Sequence, residues 1–255
     1  MNALGNLIKA RIEKDGPISL HDYMKLALGH PEYGYYKQQN PFGTDGDFIT
    51  APEISQMFGE LIGLWTVDVW IKLSSPDKFY LLELGPGNGT LMADVLRSAR
   101  LAPEFLATAE IHLIETSSRL KARQAETLKN HDIHWHDEMP ELSGAPVILL
   151  ANEFFDALPI HQYYNQSGKW YERMVTMADG NFAFTLAKTT SPLASTQCAE
   201  TGDIIEICPE GNRIIERISR LLFNEGGSAL IIDYGAAETI LGDSFQAVKG
   251  HGYAD

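Results

Sequence analysis

The chain has 255 residues, 44% apolar and 21% charged, an ordinary globular balance for one large domain or one domain with an appendage. Its 34 acidic against 20 basic side chains leave a net charge of −14, which repels phosphate backbones and anionic lipid and argues against nucleic-acid or membrane-surface binding. Cys198 and Cys208 lack the number and spacing of a disulfide scaffold or a zinc site, and no apolar run approaches the roughly 18 residues of a membrane span. With Glu13 and Asp15 in place of a hydrophobic signal core, the expected address is the cytoplasm.

In chain order, Leu4, Leu7, Ile8 and Ile12 have helical spacing up to the breaker pair Gly16-Pro17. A second helix is expected to open at Ser19, helped by Asp22, and to end at Gly29 before Pro31. Residues 30–49 are aromatic and glycine-rich without periodicity, the composition of a lid or binding loop. Thr50-Ala51-Pro52-Glu53 reads as a capping box opening a helix to about Leu73, with Ile54, Phe58, Leu61, Ile62, Trp65 and Val69 on its buried face. Capping alone explains Glu53 at this level.

After Ser74-Ser75-Pro76, short apolar runs alternate with helical stretches, the pattern of a βαβ sheet. Strands are expected at 79–84, 111–115, 133–136, 147–151 and 229–233, and helices at 90–100, 118–129 and 210–224, the last stopping at Gly226. The turn pairs Ser167-Gly168 and Asp179-Gly180 divide an antiparallel meander inserted at about 161–190. The fold class is therefore α/β, a mostly parallel sheet with N-terminal helices and a β insertion. Residues 1–75 would form the helices and substrate-covering loop, and 76–255 the ligand-binding domain.

The strand at 79–84 runs directly into Gly85-Pro86-Gly87-Asn88-Gly89 and then a helix, an arrangement in which the backbone turns sharply, approaches a ligand and offers unpaired N–H donors. The spacing is neither the dinucleotide G-x-G-x-x-G nor a P-loop with its Lys-Ser/Thr. Glu83 would repel a pyrophosphate but welcome an amino group and a sulfonium, which points to S-adenosylmethionine (SAM). Glu115 ends the next strand, where an acid accepts ribose hydroxyls, and Asp137 ends the third, on the adenine side. His134 and His136 share a strand face but have no third ligand nearby, so no metal is expected.

The order of Gly46-Asp-Phe-Ile-Thr-Ala-Pro-Glu-Ile-Ser-Gln56, Phe58-Gly59-Glu60, Glu83 to Thr90, Ala151-Asn-Glu-Phe-Phe-Asp-Ala-Leu-Pro159 and Ile232-Asp-Tyr-Gly235 resembles the MidA family of class I SAM-dependent methyltransferases. His30-Pro-Glu-Tyr-Gly-Tyr-Tyr36 resembles its opening loop. That family includes the mitochondrial complex I assembly factor with protein arginine methyltransferase activity. The resemblance implies a Rossmann-like methyltransferase sheet and SAM held by Glu83, Gly85, Pro86, Gly87, Asn88, Gly89, Glu115, Asp137 and Asn152. It further implies a target arginine on a protein partner, a subunit of respiratory complex I, and in a eukaryote a matrix address, although residues 1–15 do not resemble a transit peptide. Family members continue beyond the point matching His251 to Asp255, so the last strands of the sheet are expected to be missing. On that reading the loop at 30–49 lacks a neighbour, the strand at 229–233 is an open edge through which the chain self-associates as a homodimer, and methyl transfer is poor.

Methyl transfer needs alignment of the reactants and exclusion of water, with carboxylates to hold a guanidinium and take its proton. The candidates are Glu153, favoured, with Asp47, Glu53 and Asp156. Two alternatives stay open: a non-catalytic SAM-binding assembly factor or chaperone, and a nicotinamide oxidoreductase.

Overall fold

A computed structural model describes residues 1–38, 50–190, 200–235, 241–249 and 252–254. Asp47, Phe42 and Phe48 of the aromatic loop, and Cys198, lie outside the described residues.

The N-terminal helices α1 (Ala3–Asp15) and α2 (Leu20–Gly29) flank the two-residue strand β1 (Ile18–Ser19). Leu4, Ile8 and Ile12 are buried, and Ser19 Oγ accepts the Asp22 amide at 3.0 Å, as the spacing predicts. A single helical turn, α3 (Tyr35–Gln38), follows within the aromatic segment.

The helix expected from Thr50 to Leu73 is interrupted. A one-turn helix α4 (Ala51–Ile54) ends at Ser55, whose backbone is extended, and α5 (Gln56–Lys72) then begins. The capping box does not form: Thr50 makes no side-chain cap, and the Glu53 carboxylate is engaged elsewhere. The buried face also differs from the expectation. Ile54 and Leu61 are exposed, together with Met57, Leu64 and Ile71, whereas Gly59, Ile62, Gly63, Thr66, Val69 and Trp70 are buried. The reason is close approach of two helices. A Cβ on Gly63 would lie 2.0 Å from Ser98 Oγ and 2.8 Å from Val95 backbone, so small residues take the contact that larger apolar ones were expected to make.

The parallel sheet follows the order β10 (Gly227–Ile232), β5 (Val147–Asn152), β2 (Phe79–Leu84), β3 (Ala109–Ile114), β4 (Ile133–His136). Each strand lies within two residues of its expected position. The helices α6 (Thr90–Ser98), α7 (Pro103–Thr108), α8 (Ser118–Thr127) and α9 (Pro209–Glu225) connect and cover it. One core joins Phe79, Leu81, Ile111, Leu113 and Ile148 to Leu91, Met92, Val95, Leu96 and Phe105 on one face. On the other, Leu82, Leu84, Val147 and Leu149 meet Ile214, Ile218, Leu221 and Leu222 of α9. All of β2 is buried, as its unbroken apolar run requires of a strand covered on both sides. β10 is an edge: among the described residues it pairs with β5 alone.

The inserted meander consists of β6 (His161–Gln166), β7 (Lys169–Ala178) and β8 (Asn181–Thr190). It is part of a larger antiparallel sheet than the turn signals suggest. β9 (Ile204–Ile207) pairs with β6, and β1 pairs with β7 at Ile18 and Val175. Val175 closes a third core with Leu4, Ile8, Ile12, Leu20 and Met24, so α1 and α2 pack on this sheet. A short hairpin of β11 (Ala247–Lys249) and β12 (Gly252–Ala254) lies at the end of the described chain.

Candidate functional site

The carboxyl ends of β3, β2, β5 and β10 bring most of the expected residues together. At the end of β2, Gly85, Gly87 and Gly89 have φ of +61°, +54° and +80°, the left-handed region that excludes most side chains. A Cβ on Gly85 would also meet Phe154 at 2.8 Å. Gly89 then opens α6 without any side-chain cap, so the first amides of that helix face the loop.

Three neighbours fix the loop, two of them on α8. Gln124, fully buried on α8, donates Nε2 to the Gly87 carbonyl at 2.9 Å and accepts from Trp135 Nε1 at 2.9 Å. Thr127 Oγ1 donates to the Asn88 carbonyl at 3.0 Å. From α4, Glu53 Oε1 accepts from Asn88 Nδ2 at 3.1 Å and Thr90 Oγ1 at 2.7 Å. Glu53 thus clamps α4 to the glycine loop.

Glu83 is 2% exposed, and its Oε2 has no hydrogen-bond partner. Burial pushes its carboxyl up to about 8, so it is largely protonated at neutral pH. Asn88 Oδ1 and Asn152 Oδ1 are also buried without partners. Buried polar atoms are nearly always paired, and orphans at the neighbouring carboxyl ends of β2 and β5 fit a group that itself carries donors. Glu115 is buried, accepting from Ser117 N at 2.7 Å and from Gln124 Nε2 at 3.4 Å; burial raises its carboxyl above the usual range. Pro86 is enclosed in the loop.

Beyond β5 the chain turns at Glu153, a non-glycine residue with φ of +48°. Its amide donates to Ile232 O at 2.8 Å, and its Oε1 lies 3.5 Å from both Ala51 N and Asn152 Nδ2. Burial raises the Glu153 carboxyl, opposed by those donors and reinforced by Asp233. Asp156 is exposed as a residue, yet partial desolvation of its carboxyl, then the charges of Asp233 and Glu153, lift it to about 6. Asp233 organises the turn, accepting from Phe155 N at 2.8 Å and Asp156 N at 3.2 Å.

Asp137 stands apart from the group. Its side chain is 78% exposed and ion-paired to Lys121 at 2.7 Å, which lowers its carboxyl. His136 is bonded through Nε2 to His112 Nδ1 at 2.9 Å, and the His112 ring stacks against His134 and His136. Among the described residues no group of three or more His, Cys, Asp or Glu could hold a metal ion.

The sequence reading missed Gln124, Thr127 and Asp233. Asp233 carried the same signal as Glu115, an acid closing an apolar run, and Gln124 is a polar residue one turn beyond Leu120 on the inner face of α8.

Residues 61–255 match the model of a family described as "Putative S-adenosyl-L-methionine-dependent methyltransferase". Protein arginine methyltransferase NDUFAF7 of Homo sapiens, mitochondrial, is 35% identical over 269 residues, covering 94% of this chain and 61% of its own length. The Drosophila melanogaster homolog is 35% identical over 284 residues, covering 98% and 64%. The crystal structure of a Burkholderia thailandensis protein bound to S-adenosyl-homocysteine is 27% identical with a TM-score of 0.79, covering 92% of this chain and 62% of that one. The chain therefore spans a little under two thirds of the length of the relatives it matches.

Proposed function

The chain belongs to the family of S-adenosyl-L-methionine-dependent methyltransferases that its residues 61–255 match, and on that premise we propose that it binds SAM at the glycine loop and methylates an arginine side chain of a protein partner. The observation that carries the reading is the buried carboxyl of Glu83, its Oε2 unpaired, behind three left-handed glycines at the end of the central strand.

SAM supplies a methyl group on a positively charged sulfur. Glu83, with Asn88 and Asn152, holds its amino-acid half, and the glycine backbone with the uncapped start of α6 lets its carboxylate approach. Glu115 accepts the ribose hydroxyls. Asp137, exposed and paired with Lys121 after β4, is assigned to the adenine side as the weakest of these contacts. Glu153 and Asp156 receive the guanidinium, which stays charged in water and must shed a proton during attack. Asp156 is ionised above about pH 6 and is the group beside the acceptor best able to exchange that proton. Glu53, bonded to Asn88 and Thr90, sets the position of the loop rather than touching the reacting atoms.

The name of the human relative supports an arginine on a protein as acceptor, and the family resemblance supports a subunit of respiratory complex I as that protein. The mitochondrial relatives favour the matrix in a eukaryote; no described helix is long and apolar enough to cross a membrane. Incubating the chain with methyl-labelled SAM and a lysate lacking this protein tests the whole reading. Label recovered in methylarginine of one protein band, and lost with Glu153→Gln, supports it; label in no protein, with SAM bound, reduces the chain to a SAM-binding assembly factor.

A further inference from the structure

The aromatic segment read from the sequence as a lid or binding loop makes defined contacts at its α3 turn. Although α3 is one turn long, it is tied at two points to the segment after Glu115. Ser117 Oγ donates to the Tyr36 carbonyl at 2.9 Å, and Lys37 Nζ donates to the Thr116 carbonyl. Ser117 is 1% exposed and gives its amide to Glu115 Oε1 at 2.7 Å, so a buried link runs from that acid to the backbone of α3. The expectation that this loop has no neighbour fails at α3, because the neighbour is residues 116–117 of the same chain.

Tyr36 packs edge-on against Tyr35, ring centres 5.4 Å apart. Its phenol is pushed above the usual tyrosine range by burial first, then by the charges of Asp156 and Glu115. These two acids stand on opposite flanks. Asp156 follows β5, Glu115 follows β3, and β2 with its glycine loop lies between them. The tie through Ser117 sets the backbone of Tyr36 beside the Glu115 end of the site, and both acids are near enough to act on its phenol. Being neutral at every physiological pH, the hydroxyl can sit near both carboxylates without adding charge, and its ring excludes water from the space beneath.

We propose that Tyr36 is a cofactor-contacting residue that closes over SAM on the Glu115 side of the glycine loop, with Ser117 holding α3 shut. This rests on the SAM reading of the glycine loop. Calorimetry and dissociation kinetics with S-adenosyl-homocysteine on the full chain test it. Tyr36→Ala is expected to weaken binding about tenfold or more, chiefly through faster dissociation. Tyr36→Phe should fall between the two, and Ser117→Ala should speed dissociation a fewfold without removing the ring. S-adenosyl-homocysteine should also slow tryptic cleavage after Lys37 in the unsubstituted protein and not in Tyr36→Ala.

Unchanged affinity, dissociation and cleavage in Tyr36→Ala, while the unsubstituted protein binds, would overturn the role of Tyr36. Absence of binding by the unsubstituted protein would instead overturn the SAM reading on which it stands. If Tyr36→Ala does not fold, the dissociation rates of Tyr36→Phe and Ser117→Ala decide: faster supports closure by α3, unchanged refutes it.

Discussion

The two sheets treat their buried polar groups in opposite ways. In the antiparallel sheet Gln162 is fully buried, yet both ends of its amide are used: Nε2 donates to Glu206 at 2.6 Å and Asp243 at 2.7 Å, and Oε1 accepts from Arg173 at 2.9 Å. Arg173 also pairs with Asp243 at 2.5 Å and lies over the Phe184 ring. At the carboxyl end of the parallel sheet, by contrast, Glu83 Oε2, Asn88 Oδ1 and Asn152 Oδ1 are buried and unpaired, as is Asp94 Oδ2 on α6. Among the described residues, Trp170 Nε1 is the one such atom found in the antiparallel sheet. A closed network of acids and a base stabilises a fold, whereas unspent acceptors beside a strained loop store a cost that a ligand can repay. Acid-rich neighbourhoods are thus told apart by what remains unsatisfied, not by charge.

The largest effect that would sharpen this contrast is at the loop. Gly87→Val forces a β-branched side chain into a left-handed backbone, and SAM binding should be lost to calorimetry while the circular dichroism of the folded chain persists. Next is Glu83→Gln, which keeps the shape and removes the charge. SAM affinity should fall at least about tenfold, since about 1.4 kcal/mol corresponds to that factor. The ligand-free protein should change in the opposite direction. Because the folded-state value of Glu83 lies near 8, above its unfolded value of 4.5, the folded state holds the extra proton between them and stability falls as pH rises through that window. Glu83→Gln should flatten this slope and stabilise the chain by roughly 2–5 kcal/mol at pH 8 in thermal melts.

The antiparallel network should answer differently. Arg173→Met strands Gln162 Oε1 and Asp243 and should cost about 1–3 kcal/mol in urea denaturation, with SAM affinity unchanged. A loss of affinity there would break the distinction between the two sheets. The smallest effect is expected of Asp137→Asn. An exposed pair with Lys121 contributes about 0–1 kcal/mol, and SAM affinity should move less than about threefold.

Legibility in the sequence followed how far each element depends on its own residues. β2, its glycines and α6 were readable because an apolar run, three glycines and a helical period stand side by side. Ser19 and Gly226 marked helix ends by local chemistry alone. The buried face of α5 was misread because Gly59 and Gly63 bury through their smallness, leaving Ile54 and Leu61 outside, and apolar spacing does not register that. β1 and β9 are two and four residues long and exist through partners far away in sequence. At the site, the burial of Glu83 and Glu115 follows from their place at strand ends, while the loop-clamping bonds of Glu53 escape local spacing because its partners, Asn88 and Thr90, are 35 and 37 residues distant.

Calorimetry of SAM binding near pH 7 in two buffers of different ionisation enthalpy tests the central claim most directly, since it counts the protons exchanged on binding. Glu83 begins largely protonated and must ionise against a cationic ligand, so about one proton should be released per SAM bound, and none in Glu83→Gln. Tight binding with no proton release, or with the same release in Glu83→Gln, would contradict the account.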